Sequence, residues 1–283
     1  STFKTITMAG AIDSGKVRIT DQFDARFGVR FGRFTIDDFH GKHRILSVPE
    51  IYKYSSNIGT IHVMQAMGKD DFRAFLSKIG MDQPVPFELP EMRKPKVPAK
   101  FSEIVAATSS FGHGLSVSPL HMVRAVAAFV NDGNMVVPTM YKRSEEEARK
   151  TYVPVISPST SEEIRYLMRL NALEGSGTRM NKIANGYRVG GKTGTAEKVV
   201  GKSYSSDKTL SVFASAFPLD DPRYAMVILV DEPQRENAQS GTTAGWNAGE
   251  VTGRIVQRVA PMLGIAPDFS EMLDSELVPP ELR

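Results

Sequence analysis

The sequence predicts an α+β fold, in which helices pack on an antiparallel sheet and a helical subdomain completes the domain. Two strand-like runs, 210–217 and 224–230, are separated by only six residues. Six residues can close an antiparallel hairpin, whereas parallel strands need a crossover of a dozen or more. Elsewhere, apolar residues recur with the 3.6-residue period of amphipathic helices. The chain has 283 residues, 41% of them hydrophobic, so it can bury a substantial core as one large domain.

The first hundred residues are predicted to form helices, with a short hairpin-like β segment between them. An apolar-periodic helix covers residues 1–14 and ends at Gly15. Residues 17–46 alternate apolar and polar positions, which favours a hairpin-like excursion with a solvated arginine face. Residues 49–80 are predicted to be helical. Residues 84–98 contain too many prolines for a regular helix, because each proline removes a backbone donor and fixes φ.

The middle of the chain predicts two further helices. Residues 118–131 begin with proline in the first turn, a position that suits proline. A strand is predicted at 135–141, and the charged run at 142–150 is interpreted as a solvated loop or short helix. Residues 159–162 form a Ser-x-x-Glu capping box that is expected to open a helix to about residue 172.

The last third predicts the sheet. Residues 192–198 are expected to add a strand to the two runs named above, which gives an antiparallel meander, followed by a helix at 246–263. We expect one domain at 1–265 and a C-terminal tail at 266–283. The tail is acidic and contains proline, so it is expected to be only partly ordered.

Composition excludes several functions. Thirty-five basic and 32 acidic side chains give a net charge of +3, and no basic stripe with interleaved aromatic residues is present, so a nucleic-acid partner is not expected. The absence of cysteine excludes disulfides and thiolate chemistry. No segment approaches the ~18–20 apolar residues of a membrane span. We expect no cofactor and no metal site.

The first turn carries a possible nucleophile and base. On a helix, Ser1 and Lys4 share one face, with Cβ atoms about 5–6 Å apart. A neighbouring amine can activate a serine hydroxyl if burial or another cation keeps the amine partly neutral. A single Ser-x-x-Lys is more often a helix cap with a solvated lysine.

Two more motifs follow in order, and the ordered set is far more specific than each part. Ser55-Ser56-Asn57 lies between two predicted helices, and Lys192-Thr193-Gly194 lies late in the chain. Ser-x-x-Lys, Ser-x-Asn and Lys-Thr-Gly in this order are the signature set of penicillin-recognising serine acyltransferases. The sequence resembles the transpeptidase domain of class B penicillin-binding proteins, closest to the septal cell-division type. The blocks at 111–120, 175–178 and 191–198 also resemble that family.

The resemblance implies the penicillin-binding-protein/serine β-lactamase-like transpeptidase fold and a role for each motif residue. Ser1 would be the nucleophile and Lys4 the favoured base. Ser55 would relay a proton, and Asn57 would hold the substrate. Lys192 completes the catalytic set, and the substrate-binding residues would be Thr193, Gly194, Thr195, Phe111 and His113. His113 departs from the family pattern, which has an aromatic residue at this position.

The resemblance also implies partners and a location. The substrates would be peptidoglycan stem peptides, cross-linked through a serine acyl-enzyme, and β-lactam antibiotics would acylate the same serine. Cell-division membrane proteins are expected partners. The expected location is the periplasmic face of the inner membrane, held there by an N-terminal segment that precedes this chain together with the first strands of the sheet.

Four alternatives remain open. Residues 186–193 fit the phosphate-binding pattern G-x-x-x-x-G-K-T, but such a loop needs a helix beginning at the Lys-Thr, and Gly194 and a strand-like run follow instead. A β-lactamase would need a carboxylate for deacylation, which the sequence does not identify. An amino-terminal nucleophile hydrolase would leave Ser55, Asn57 and Lys192 unexplained. A β-lactam or muropeptide sensor would keep the pocket without turnover.

Overall fold

The computed structural model describes residues 1–283 and contains eleven α-helices. Most begin at a serine whose hydroxyl accepts a backbone N–H of the first turn, as at Ser47, Ser56 and Ser118. The helices are α1 (Phe3–Asp13), α2 (Val48–Tyr54), α3 (Asn57–Met67), α4 (Lys69–Lys78), α5 (Glu103–Ser110), α6 (Pro119–Val130), α7 (Glu145–Arg149), α8 (Pro158–Glu174), α9 (Thr178–Ile183), α10 (Ala248–Met262) and α11 (Glu271–Glu276), and a 3₁₀ turn follows at Pro280–Leu282.

The strands form one main sheet and three small pairs. The strands are β1 (Gln22–Asp24), β2 (Val29–Phe31), β3 (Phe34–Ile36), β4 (Ile45–Ser47), β5 (Asn134–Met135), β6 (Val153–Pro154), β7 (Gly190–Val200), β8 (Ser203–Phe217) and β9 (Tyr224–Asp231). The main sheet has the order β7-β8-β9 and is antiparallel throughout, as the short connection predicts. In the small pairs, β1 pairs with β4, β2 with β3 and β5 with β6.

Helix α1 is the centre of the larger hydrophobic core. All its residues from Phe3 to Ile12 are buried, and it packs against helices α3, α4, α5, α6 and α8. A helix that is apolar all round belongs in a protein interior. Because α1 is enclosed in this way, the residues at its N-terminal end are held in a fixed place relative to the surrounding helices.

A smaller core lies on the other face of the sheet. Phe213 and Phe217 of β8 pack with Val256 and Ala260 of α10, and all four are buried. The sheet therefore has helices on both faces, with α6 and α8 on one side and α10 on the other. This arrangement confirms the predicted α+β class and holds β7 beside the start of α1.

Several boundaries differ from the sequence prediction: β8 begins at Ser203 and not at 210, and the helical segment predicted at 49–80 is divided into α2, α3 and α4. The strand predicted at 135–141 is limited to Asn134–Met135, because Pro138 cannot donate to a ladder and the carbonyls of Val136 and Val137 are bonded by arginine side chains. The predicted capping box does not open α8. The cap is Ser157, whose hydroxyl accepts the Thr160 N–H, and the helix continues to Glu174.

The C-terminal tail is more ordered than the sequence predicts. Asp274 of α11 accepts two hydrogen bonds from the buried Arg169 guanidinium, at 2.7 and 3.1 Å. Arg188 donates to the carbonyls of Asp268 and Ser270. Residues 266–283 therefore pack on the domain. The boundary between domain and tail stays a prediction.

The proline-rich segment 84–98 contains no helix, as predicted, and is tied down by one bridge between Lys96 and Ser116. No helix of the chain combines the length and the apolarity that crossing a membrane requires.

Candidate active site

The N-terminal turn of α1 brings Ser1 and Lys4 together. The Lys4 N–H donates to the Ser1 carbonyl at 3.1 Å, which closes the first turn. The Lys4 Nζ lies 3.2 Å from the Ser1 Oγ. Lys4 is only 1% exposed. Its amine is therefore a buried group in contact with the serine hydroxyl, unlike the solvated lysine of an ordinary helix start.

The turn between α2 and α3 adds Ser55 to this pair. Ser55 ends α2 in a left-handed conformation, with φ at 57°, and Ser56 then caps α3. This sharp change of direction places the Ser55 Oγ 2.7 Å from the Lys4 Nζ and 3.4 Å from the Ser1 Oγ. The Ser55 carbonyl also accepts a hydrogen bond from Lys4, at 2.7 Å.

Asn57 is the first residue of α3 and is half-buried. Its side chain makes no hydrogen bond within the protein, so its amide is available to a ligand.

Strand β7 supplies the third motif. Lys192 is 1% exposed, and its Nζ donates to the Ser55 Oγ at 3.1 Å and to the Thr193 carbonyl at 3.3 Å. The Thr193 hydroxyl lies 2.6 Å from the Ser176 hydroxyl. The exposed Thr195 accepts the Ala244 N–H at 3.0 Å. The side-chain amines of Lys4 and Lys192, both buried, thus both donate a hydrogen bond to the Ser55 hydroxyl.

Gly194 allows β7 to approach α1 closely. A Cβ atom at this position would lie 3.1 Å from the Thr2 Cγ2 and 3.2 Å from the Thr2 nitrogen. Such contacts are tighter than a side chain normally accepts, so any larger residue would push the strand away from Ser1. The glycine of the Lys-Thr-Gly motif therefore sets the distance between the strand and Ser1.

The surroundings of the site lower the pKa of both lysines. Burial, with a further contribution from the Lys192 ammonium, holds the pKa of Lys4 well below its usual value. Burial lowers the pKa of Lys192 to about 7. The cause in both cases is that a charged ammonium loses its hydration in a site that offers it mainly hydroxyls and carbonyls.

The loop 111–114 borders the site beside Ser1. Gly112 has φ at 90° and passes the start of α1, where a Cβ would lie 3.2 Å from the Phe3 Cβ. Phe111 and the exposed His113 stack with ring centroids 6.4 Å apart. His113 also faces Tyr204 of β8, with centroids 5.6 Å apart.

Three residues near the site are absent from the sequence prediction. The Tyr204 ring packs against His113, and the Ser176 hydroxyl shares a hydrogen bond with the Thr193 hydroxyl. Asp38 accepts a hydrogen bond from Ser56 at the start of α3. Ser176 falls in the glycine-containing block at 175–178 that the resemblance singles out. Asp38 and Tyr204 lie in segments with no motif, so the sequence held no signal for them.

The phosphate-loop alternative fails on geometry. Lys192 and Thr193 lie inside β7, which continues to Val200 without a helix. The N-terminal helix amides that would hold a phosphate are therefore missing.

Residues 1–256 match the family described as the penicillin binding protein transpeptidase domain. The chain belongs to this family. Among curated penicillin-binding relatives, the probable peptidoglycan D,D-transpeptidase FtsI of Caulobacter vibrioides is 36% identical over 94% of this chain and 46% of its own length. The stage V sporulation protein D of Bacillus subtilis is 32% identical over 94% of this chain and 42% of its own length. The chain thus spans about half the length of these relatives.

Solved structures agree with the predicted transpeptidase fold. The transpeptidase domain of penicillin-binding protein 3 from Burkholderia pseudomallei superposes with a TM-score of 0.86, at 28% identity over 95% of this chain and 80% of that one. Penicillin-binding protein 3 of Mycobacterium tuberculosis, in a complex with aztreonam, has the same fold with a TM-score of 0.81, at 23% identity over 94% of this chain and 63% of that one.

Proposed function

We propose that this chain is the catalytic domain of a peptidoglycan D,D-transpeptidase. The observation that carries the proposal is the convergence of Ser1, Lys4, Ser55 and Lys192 within hydrogen-bonding distance, with both lysines buried. This arrangement provides a nucleophile, a neutral amine and a proton relay in one place, which is what acyl transfer through serine requires.

In the acylation step, the Ser1 Oγ attacks the carbonyl between the two D-alanines that end a stem peptide. A neutral Lys4 amine has two N–H groups and one lone pair. The Ser55 carbonyl and Oγ, each 2.7 Å away, can accept the two N–H groups. The lone pair is then free to take the Ser1 proton at 3.2 Å. The C–N bond breaks, Ser55 passes its proton to the departing D-alanine amine and takes the proton held by Lys4, and an ester to Ser1 remains.

In the transfer step, an amine of a neighbouring stem peptide attacks this ester. Its proton goes to Lys4 or Ser55 and returns to the Ser1 oxygen as the new peptide bond forms and the ester breaks. Before acylation, Lys192, Thr193 and Thr195 receive the terminal carboxylate of the donor peptide, which later leaves with the D-alanine, since this task needs a cation and hydroxyl donors. The N–H groups of Ser1 and Thr195 form the oxyanion hole, and Asn57 holds the substrate amide.

β-Lactams would acylate Ser1 in the same way and remain attached. No hydrogen bond or ion pair of Ser1, Lys4, Ser55 or Lys192 involves a carboxylate. Fast hydrolysis of the ester needs a base that activates water, so this feature favours a transferase over a β-lactamase.

We further propose a role in septal wall synthesis, because one relative is named FtsI. Association with cell-division membrane proteins and a place at the periplasmic face of the inner membrane follow from that role and stay predictions.

The test is intact-mass spectrometry of the full gene product after incubation with benzylpenicillin. We expect a stable mass increase of one penicillin on the unmodified protein and none on Ser1→Ala, because the proposed ester forms on the Ser1 Oγ. Ser14→Ala makes the same change at the opposite, exposed end of α1 and should retain the adduct. A folded protein that gains no mass would overturn the proposal, and an adduct that is lost within seconds would indicate a β-lactamase.

A further inference from the structure

Asp38 reaches the active site from an otherwise exposed loop between β3 and β4. Its Oδ2 accepts the Ser56 hydroxyl at 2.7 Å, and its Oδ1 accepts the Ile58 N–H at 2.9 Å. Asp38 is partly buried, whereas its neighbours Asp37 and Phe39 are exposed. The carboxylate is therefore directed inward, onto the first turn of α3.

These two bonds hold the middle of the Ser-x-Asn motif. Ser56 accepts the Gly59 N–H at 2.9 Å while it donates to Asp38, so its rotamer is fixed from both sides. Ser55 precedes it in a strained left-handed conformation, and Asn57 follows it. A residue that fixes Ser56 therefore fixes the two flanking side chains that face the substrate. A carboxylate at the N-terminal turn of a helix is also favoured by the helix dipole.

The charge of Asp38 acts on the same site. The charged groups that act on Lys4 are Lys192 from β7 and Asp38 from its loop. The buried Tyr52 of α2 shares a hydrogen bond with Thr5 and has its ring beside Lys192, while His113 beyond α5 is exposed and faces Tyr204. Burial and Lys192 lower the pKa of Lys4, whereas Asp38 raises it. The Asp38 carboxylate therefore opposes the effects of burial and of Lys192 on the Lys4 pKa.

We propose that Asp38 is a positioning residue of this active site, which fixes the Ser55–Asn57 turn through Ser56 and supplies a negative charge that acts on Lys4. The inference rests on the proposed function, because both of its effects act on the acylation of Ser1.

The test measures the acylation rate constant of the full gene product with a fluorescent penicillin across a range of pH. For Asp38→Asn we expect a plateau rate about 10–100-fold lower, because the Ser55 hydroxyl loses its fixed place. We also expect the acid limb of the profile to move to lower pH. Removal of the negative charge lowers the Lys4 pKa, so the amine becomes neutral, and able to act as a base, at lower pH.

Three variants distinguish the positioning of the Ser55–Asn57 turn from the effect of the Asp38 charge on Lys4. Ser56→Ala removes the hydrogen bonds of the Ser56 hydroxyl to Asp38 and from the Gly59 N–H but keeps the carboxylate, so we expect a lower plateau and an unmoved acid limb. Asp38→Glu keeps the charge, so its acid limb should also remain in place. Asp37→Asn makes the same charge change at the adjacent exposed carboxylate and should match the unmodified protein in both readouts.

Two outcomes would overturn the inference: an Asp38→Asn profile that matches the unmodified protein, or an equal shift in Asp37→Asn. If Asp38→Asn does not fold, a Ser56→Ala plateau equal to that of the unmodified protein contradicts the positioning role by itself. Failure of the proposed function is distinguishable, since the unmodified protein would then not be labelled at all.

Discussion

Replacement of Lys4 by methionine is expected to lower the rate of Ser1 acylation by about 10²–10⁴-fold, the range that a general base contributes. Methionine fills a similar volume but cannot accept the Ser1 proton, and the two hydrogen bonds to Ser55 are lost with it. The acid limb of the pH–rate profile should disappear, because this limb reports the protonation of Lys4. The measurement is stopped-flow acylation by a chromogenic cephalosporin, with Lys182→Met on the exposed face of α9 as the control.

The same variant should be at least as stable as the unmodified protein. The Lys4 pKa is lowered in the folded state, so between that pKa and the ordinary lysine value of about 10.4 the unfolded chain binds more protons. Stability therefore rises with pH across this window, and the lysine costs stability at neutral pH. In Lys4→Met this dependence on pH should be weaker when thermal unfolding is followed from pH 7 to 10. A variant that is both inactive and strongly destabilised would mean that Lys4 is a structural residue.

Replacement of Asp274 by alanine is expected to destabilise the domain by about 3–5 kcal/mol, the cost of breaking a buried ion pair. The Asp274 carboxylate receives a two-point contact from Arg169 and lies 3.7 Å from the Arg188 Nε. The Arg169 and Arg188 side chains are only 7% and 3% exposed. Both guanidinium groups would then be left buried with fewer partners, and the Arg188 Nε already lacks a hydrogen bond.

The effect should reach the active site as well. Arg169 also donates to the carbonyl of Val189 at 2.8 Å, one residue before β7 begins. Loosening Arg169 therefore loosens the start of the strand that carries Lys192. Urea unfolding measures the loss of stability, and Glu271→Ala, on the exposed side of the same helix, provides a matched control. Equal midpoints for the two variants would show that the tail does not stabilise the domain.

The local placement of the three motifs could be predicted because each depends on local spacing. Ser1 and Lys4 lie on one helical turn, Ser55 to Asn57 span one turn between helices, and Lys192 to Thr195 lie on one strand. The antiparallel meander was predictable for a similar reason, since six residues between two strands leave little choice of topology. The resemblance then supplied the relation between motifs that spacing alone could not give.

Features that depend on contacts between distant residues were not predictable. Asp38 reaches Ser56 across 18 residues, and Asp274 reaches Arg169 across 105. In the sequence, nothing distinguishes Asp38 from other carboxylates in predicted loops. Asp274 lies in the segment 266–283, whose composition predicts only partial order. The cap of α8 was misplaced by two residues because several serines in 157–161 could each serve as a cap. Burial decides between such candidates, and burial is a property of the folded chain.

Strand β9 has a consequence for handling the protein. It pairs with β8 along Tyr224–Asp231 and has no strand on its other side. Its middle, Met226 to Val230, is uncharged and apolar, and Leu229 is 41% exposed. An open edge of this composition is a template for pairing with another strand. When these 283 residues are produced by themselves, we expect them to form oligomers at high protein concentration through pairing of β9 edges. The active-site residues would take no part in this association.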